Sequence, residues 1–135
     1  MKTQDQNAIR EDLSPKGRRL LQLVVNHVGS AGFTPADQTT YLGYKYCCVA
    51  LGAAPADADL QWGRLLQRHG LTDLNEWTKR HDFPRVTGLI VNQGGDRKYW
   101  PGGDYFESNG RPDMDGPWWD VQAQAAVAFD WQSYL

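Results

Sequence analysis

The chain is poor in the features that announce a chemistry most directly. It has two cysteines in 135 residues, the neighbours Cys47 and Cys48. Adjacent side chains point in different directions and a vicinal disulfide is strained, so a disulfide framework is excluded. Reduced, buried thiols in a cytoplasmic protein are expected instead. No apolar run approaches the ~20 residues of a membrane-spanning helix, and the polar residues 1–7 do not have the character of a signal peptide. The formal net charge is only −2, so no global field draws the protein to nucleic acid or to an anionic membrane.

The recognisable catalytic patterns are missing as well. The three histidines, His27, His69 and His81, form no HxxxH or HExxH pair, and neither cysteine has a second ligand pair at zinc spacing. There is no G-x-S-x-G elbow and no P-loop. Cys47 and Cys48 lie within a predicted helix between Tyr46 and Val49, where packing is expected rather than a thiolate nucleophile. Gly94-Gly95 and Gly102-Gly103 are not expected to lead into a helix that would bind phosphate, and they read as hairpin glycines. Asp113 and Asp115 lack the ligand spacing of a calcium loop and suit a cap before Pro117. The residues therefore imply no catalytic group, no metal and no cofactor, and a non-enzymatic protein is expected.

What is present suits one folded domain. Hydrophobic residues make up 41% and charged residues 22%, enough apolar content for a core without staples. The expected organisation is a flexible segment over residues 1–13, with a short helix around Ala8 to Leu13 as the alternative, followed by a single globular domain over 14–135. The expected fold class is α+β: an α-rich domain with a helix-turn-helix or winged-helix-like core, a small β-sheet or hairpin, and a C-terminal helix.

Ser14-Pro15 reads as a helix start, a serine cap followed by proline at the first helical position. Leu20, Leu21, Val24, Val25 and Val28 then recur at helical spacing until Gly29 or Gly32. Thr39 or Thr40 is predicted to cap a helix over residues 41–51, stopped by Gly52. Asp57 is predicted to cap another to about His69, closed by Gly70. Thr72 should cap a short helix with Leu74 and Trp77 facing inward. Residues 85–91 form the one convincing strand by β-branched content. Residues 92–104 read as a hairpin or wing, with Tyr99-Trp100 or Tyr105-Phe106 returning. Pro117 opens a last helix through Trp131, with Val121, Ala125 and Ala128 on one stripe.

Two surfaces invite a functional reading. On the predicted helix before Gly70, Ala58, Trp62, Leu65, Leu66 and His69 share one face, while Gln61, Arg64 and Arg68 share another with Gln67 nearby. Arginine and glutamine make two-pronged contacts with base edges in a major groove, and this helix would be the second of a helix-turn-helix unit. The alternative is a solvated polar face. Gly63 inside that helix costs about 1 kcal/mol relative to alanine, which points to close approach by a ligand or a neighbouring element. The second surface is acidic and Trp-rich. Residues 71–135 carry ten acidic against six basic groups, whereas residues 1–70 carry six against eight. One of Trp118 and Trp119 is expected in the core, and the other is a candidate anchor for a partner or a second copy of the chain.

Several short motifs, Thr39-Thr40-Tyr41, Ala50-Leu51-Gly52, Gly63-Arg64-Leu65-Leu66 and Pro84 leading into Arg85-Val86, run in the order seen in another family. Over residues 18–95 the chain resembles the C-terminal winged-helix domain of alkylguanine-DNA alkyltransferases and alkyltransferase-like proteins. The resemblance implies a winged helix with Arg64 in the DNA-recognition helix. The family's Pro-Cys-His-Arg sequence is absent, since Arg85, Val86 and Thr87 follow Pro84, so alkyl transfer is not implied. A second set of motifs comprises Thr40-Tyr41, Gly63-Arg64-Leu65-Leu66, Gly88 to Asn92, and Pro101-Gly102-Gly103 before Tyr105-Phe106. By these the chain resembles an uncharacterised prokaryotic domain of restriction, defence and mobile-element proteins, which implies a context without an activity.

Two functions follow as expectations. One is a DNA-binding module using Thr40, Tyr41, Gln61, Arg64, Gln67 and Arg68, with residues 92–104 as its wing. The other is a protein-binding adaptor or inhibitor, in a phage or mobile-element setting, using Trp118, Trp119, Asp113 and Asp115 against a basic partner or as a homodimer contact.

Overall fold

A computed structural model describes residues 4–135; residues 1–3 of the expected flexible segment lie outside the described residues. The protein is an α-rich α+β domain with a small two-stranded sheet and a C-terminal helix. Helix α1 spans Gln4–Glu11 and α2 spans Pro15–Val28. The Ser14 hydroxyl accepts from the Gly17 amide at 3.1 Å and Pro15 opens the helix, as the Ser-Pro pair predicts. Leu20, Leu21 and Val24 are buried, and the helix ends at Gly29. Within residues 4–13, Leu13 is buried and the Trp77 indole donates to the Ile9 carbonyl at 2.8 Å.

The next segment departs from expectation. Neither Thr39 nor Thr40 caps a helix. Residues Gln38–Thr40 form a 3₁₀ turn capped by Asp37, strand β1 follows at Leu42–Gly43, and α3 spans Tyr44–Ala50. The Thr40 hydroxyl bonds the Thr34 and Asp37 backbone instead. Helix α4 spans only Trp62–Leu66, because residues 57–61 run as turn and extended chain, not as the predicted first turns of a longer helix.

A kinked π-turn, Gln67–Leu71, joins α4 to α5, Thr72–Arg80. Gly70 holds φ +122° there, and a β-carbon at that position would stand 2.5 Å from the Lys16 carbonyl oxygen. Only glycine meets both demands. Leu71 is already helical, so Thr72 caps nothing, yet Leu74 and Trp77 face the core as expected.

Of residues 85–91 only Ile90–Val91 forms a strand, β2; Val86–Leu89 tighten into a 3₁₀ turn. That turn lets the Gly88 carbonyl accept from the Trp119 indole at 2.8 Å. The sheet is parallel, with Leu42 opposite Ile90 and Gly43 opposite Val91. The run is apolar without alternation because it is buried throughout.

Residues 92–104 make no hairpin. Asn92 and Lys98 share one isolated bridge, and Gly102-Gly103 open helix α6, Gly103–Ser108, which absorbs Tyr105 and Phe106. Helix α7, Gly116–Ala128, starts where Asp115 and Pro117 predict, with the Asp115 carboxylate accepting from the Trp118 amide. It buries Trp119, Ala123 and Ala126, whereas Val121, Ala125 and Ala128 are exposed. The chain closes with a 3₁₀ turn, Trp131–Tyr134, after the helix has ended at Ala128.

Each fully sheltered indole finds a carbonyl: Trp77 that of Ile9, Trp119 that of Gly88, and Trp131 that of Ala126 at 2.7 Å. These bonds matter because an unpaired buried N–H costs about 1–3 kcal/mol. Two glycines give opposite predictions. Gly70→Ala should lower unfolding free energy by about 2–4 kcal/mol through strain and backbone overlap. Gly63→Ala, whose new methyl group meets no atom within 4 Å, should raise it by up to about 1 kcal/mol. Urea denaturation measures both; a neutral Gly70→Ala would contradict the close approach to α2.

Candidate functional site

The first candidate surface is only partly assembled as the sequence suggests. Gln61, the residue before α4, Arg64 on α4 and Arg68 on the π-turn are all exposed and line one open groove of about 580 Å³. Gln67 and Asp104 complete it, joined by a hydrogen bond from Gln67 Nε2 to Asp104 Oδ2 at 2.5 Å. Thr40 and Tyr41 are elsewhere in role. Tyr41 is buried, stacks on Phe33 and donates to the Pro35 carbonyl at 2.6 Å, and burial pushes its phenol up to about 12. Both residues hold the 34–41 turn together and present no polar group to the groove.

Arg64 and Arg68, like Arg18 and Arg19 of α2, have no carboxylate partner among the described residues, whereas Arg80, Arg85, Arg97 and Arg111 each pair with one. One further cation reaches the backbone of the π-turn, and the sequence does not mark it. The approach at Gly70 brings the start of α2 against the π-turn, and Lys16 Nζ donates to the Arg68 carbonyl at 3.3 Å. That bond ties the exposed Lys16 to the backbone of the π-turn, about fifty residues away in sequence, although Lys16 does not itself line the groove. No local pattern marks it, since it sits in the first turn of a helix read for its apolar face.

The second candidate surface is largely committed to the fold. Trp119 is buried and edge-on to Tyr41. Trp118 is half-buried, packed beside Tyr105 and Phe106, with the Arg111 guanidinium 5.9 Å from its ring centre. Asp113 meets both terminal nitrogens of Arg97, at 2.7 and 2.8 Å, and that bonding holds its carboxyl below the usual range. Asp115 is held low in the same way by Arg111 while capping α7.

The histidines act locally. His27 contacts the Thr40 carbonyl at 2.6 Å, and His81 contacts Asp12 at 2.8 Å beside Arg80. Cys47 and Cys48 are free and buried, and burial raises their thiols to about 12 and about 11. Among the described residues no group of three or more His, Cys, Asp or Glu is placed to hold a metal ion, and no helix is long and apolar enough to cross a membrane. No family model, curated protein or solved structure matches the chain.

Two outcomes are expected. Carboxyls with lowered folded values contribute stability that is present above the ordinary aspartate value of 3.8 and is lost as pH falls through the folded value. Asp113→Asn should therefore shallow the loss of stability below about pH 4 without altering it at neutral pH by more than a surface pair contributes. Urea titrations at several acidic pH values test this, and an unchanged acid limb would count against the Arg97 pair. Separately, iodoacetamide at pH 8 should modify neither cysteine until denaturant is added; mass spectrometry showing rapid native labelling would contradict their burial.

Proposed function

We propose that the chain is a non-enzymatic DNA-binding module, with Lys16, Arg64 and Arg68 as phosphate contacts and Gln61 beside them for base or sugar. One observation carries the reading: Arg64 and Arg68 are exposed, lie together in one groove and have no carboxylate partner among the described residues. Unpaired cations lose no intramolecular partner on meeting phosphate, so their counterion release contributes fully to binding. The net charge of −2 opposes long-range attraction, but the pairing of Asp113 and Asp115 with arginines mutes part of the acidic half.

The mode differs from the expected recognition helix. Helix α4 has five residues and a kink behind it, too short to follow a major groove, so backbone contact dominates and sequence preference is weak. Residues 92–104 do not serve as a β-wing in this reading. Free, buried Cys47 and Cys48 support a reducing cytoplasmic setting, and the second resemblance supports a defence or mobile-element context.

Fluorescence anisotropy of a labelled duplex tests the proposal. Wild type should bind with an affinity that falls as salt rises, and Arg64→Ala/Arg68→Ala should reduce the slope of log K against log salt by about 2. Asp104→Asn, which removes the groove's one carboxylate, should tighten binding severalfold. No salt-sensitive binding by wild type, or a double variant that keeps affinity and slope, would overturn the reading.

A further inference from the structure

Of the five asparagines, Asn109 alone precedes a glycine. In an open chain that pair cyclises more readily than any other asparagine sequence. Gly110 has no side chain to hinder its backbone nitrogen from reaching the Asn109 Cγ. The pair stands at the end of α6, and the fold has a use for both members. Gly110 is exposed and holds φ +68°, the left-handed conformation that closes a helix in a Schellman turn. The turn is complete: the Gly110 amide donates to the Glu107 carbonyl at 3.0 Å, and the Arg111 amide to the Phe106 carbonyl at 2.9 Å.

Asn109 is half-buried and its carboxamide is used on both sides. Oδ1 accepts from Arg85 Nε at 3.0 Å, while Nδ2 donates to the Tyr105 carbonyl at 2.7 Å and to Asn75 Oδ1 at 3.1 Å. Asn75 in turn accepts from the Thr87 hydroxyl and donates to Ser108 Oγ at 2.9 Å. The side chain thus joins α5, α6 and the segment around Arg85 and Thr87. An aspartate in its place could keep the Arg85 bond, but its second oxygen would face two acceptors with no proton to offer.

These bonds also hold the reacting atoms apart. A succinimide ring places the Gly110 nitrogen on the Cβ side of the Asn109 Cα, a large rotation from the observed ψ of 10°. It further requires that nitrogen to leave the Glu107 carbonyl and the carboxamide to leave Arg85, Tyr105 and Asn75. The three requirements are met together only when the end of α6 opens, a local event that need not unfold the rest.

We propose that Asn109–Gly110 is a self-modification site, held closed by the folded end of α6 and reactive whenever that end opens. The Gly110 nitrogen then attacks the Asn109 Cγ, its proton departs with the carboxamide nitrogen as ammonia, and a succinimide forms. Water opens the ring to aspartate or isoaspartate, with no oxidant, metal or second protein required. The product lacks the Nδ2 donor, so the closed arrangement is not restored and the opening is recorded covalently. This site is independent of the DNA-binding reading.

Incubation at pH 8, folded and in guanidinium chloride, tests the proposal, with ammonia release and peptide mass mapping as readouts. Unfolded protein should convert at Asn109 ahead of Asn7, Asn26, Asn75 and Asn92, and folded protein should convert there at least about tenfold more slowly. Hydrogen exchange of the Gly110 and Arg111 amides reports the opening itself. Guanidinium below the unfolding transition should raise that exchange and the conversion of Asn109 in parallel. The product mimic Asn109→Asp should unfold at a lower guanidinium midpoint than wild type, having lost a buried donor. Conversion as fast in the folded as in the unfolded protein, no preference for Asn109 when unfolded, or a wild-type midpoint for Asn109→Asp would each overturn it.

Discussion

At residue 70 the backbone of one helix turn presses onto the first turn of another, and the Lys16 carbonyl leaves no space for a side chain. Glycine at φ +122° both permits the contact and breaks the helical path, so α4 and α5 leave the kink in different directions. Much of the molecule depends on that junction. It seats α2 against α5, places the Ser14 hydroxyl on the Asp73 carboxylate at 2.5 Å, and lets Leu74 and Trp77 reach the core. Trp77 in turn draws α1 onto the domain through the Ile9 carbonyl. The same contact brings Lys16 Nζ to the Arg68 carbonyl.

Electrostatics divides the surface along the chain. Beyond residue 79 every arginine among the described residues has a carboxylate: Asp12 for Arg80, Asp82 for Arg85, Asp113 for Arg97 and Asp115 for Arg111. Exposed pairs of this kind contribute little to stability, so their larger effect is on which charges remain available to a partner. Arg64 and Arg68 remain available.

The parts of this arrangement that were legible in the sequence are those fixed by local chemistry. Ser14-Pro15 and Asp115 with Pro117 mark helix starts because a cap and a pre-set φ act within one turn. Leu20, Leu21 and Val24 mark a buried face by spacing alone. Of residues 85–91 only Ile90–Val91 is strand, because a β-branched run reports burial as well as strand, and the 3₁₀ turn before it brings the Gly88 carbonyl to the Trp119 indole. On α7 apolar residues occupy both sides, so Val121, Ala125 and Ala128 look as good a stripe as Trp119, Ala123 and Ala126; only the docking of Trp119 decides. Gln61, Arg64 and Arg68 could be grouped from helical spacing, although α4 is shorter than the pattern. The place of Lys16 was not legible, since it is created by contacts between distant segments.

The proposed DNA-binding reading takes Lys16, held to the π-turn at the Gly70 junction, as a phosphate contact together with Arg64 and Arg68. Its most direct test is the salt dependence of duplex binding by Lys16→Gln, compared with wild type under identical conditions. The account predicts weaker binding and a slope of log K against log salt reduced by about 1, the loss of one phosphate contact. A variant with wild-type affinity and slope would place Lys16 outside the phosphate contacts and contradict the account.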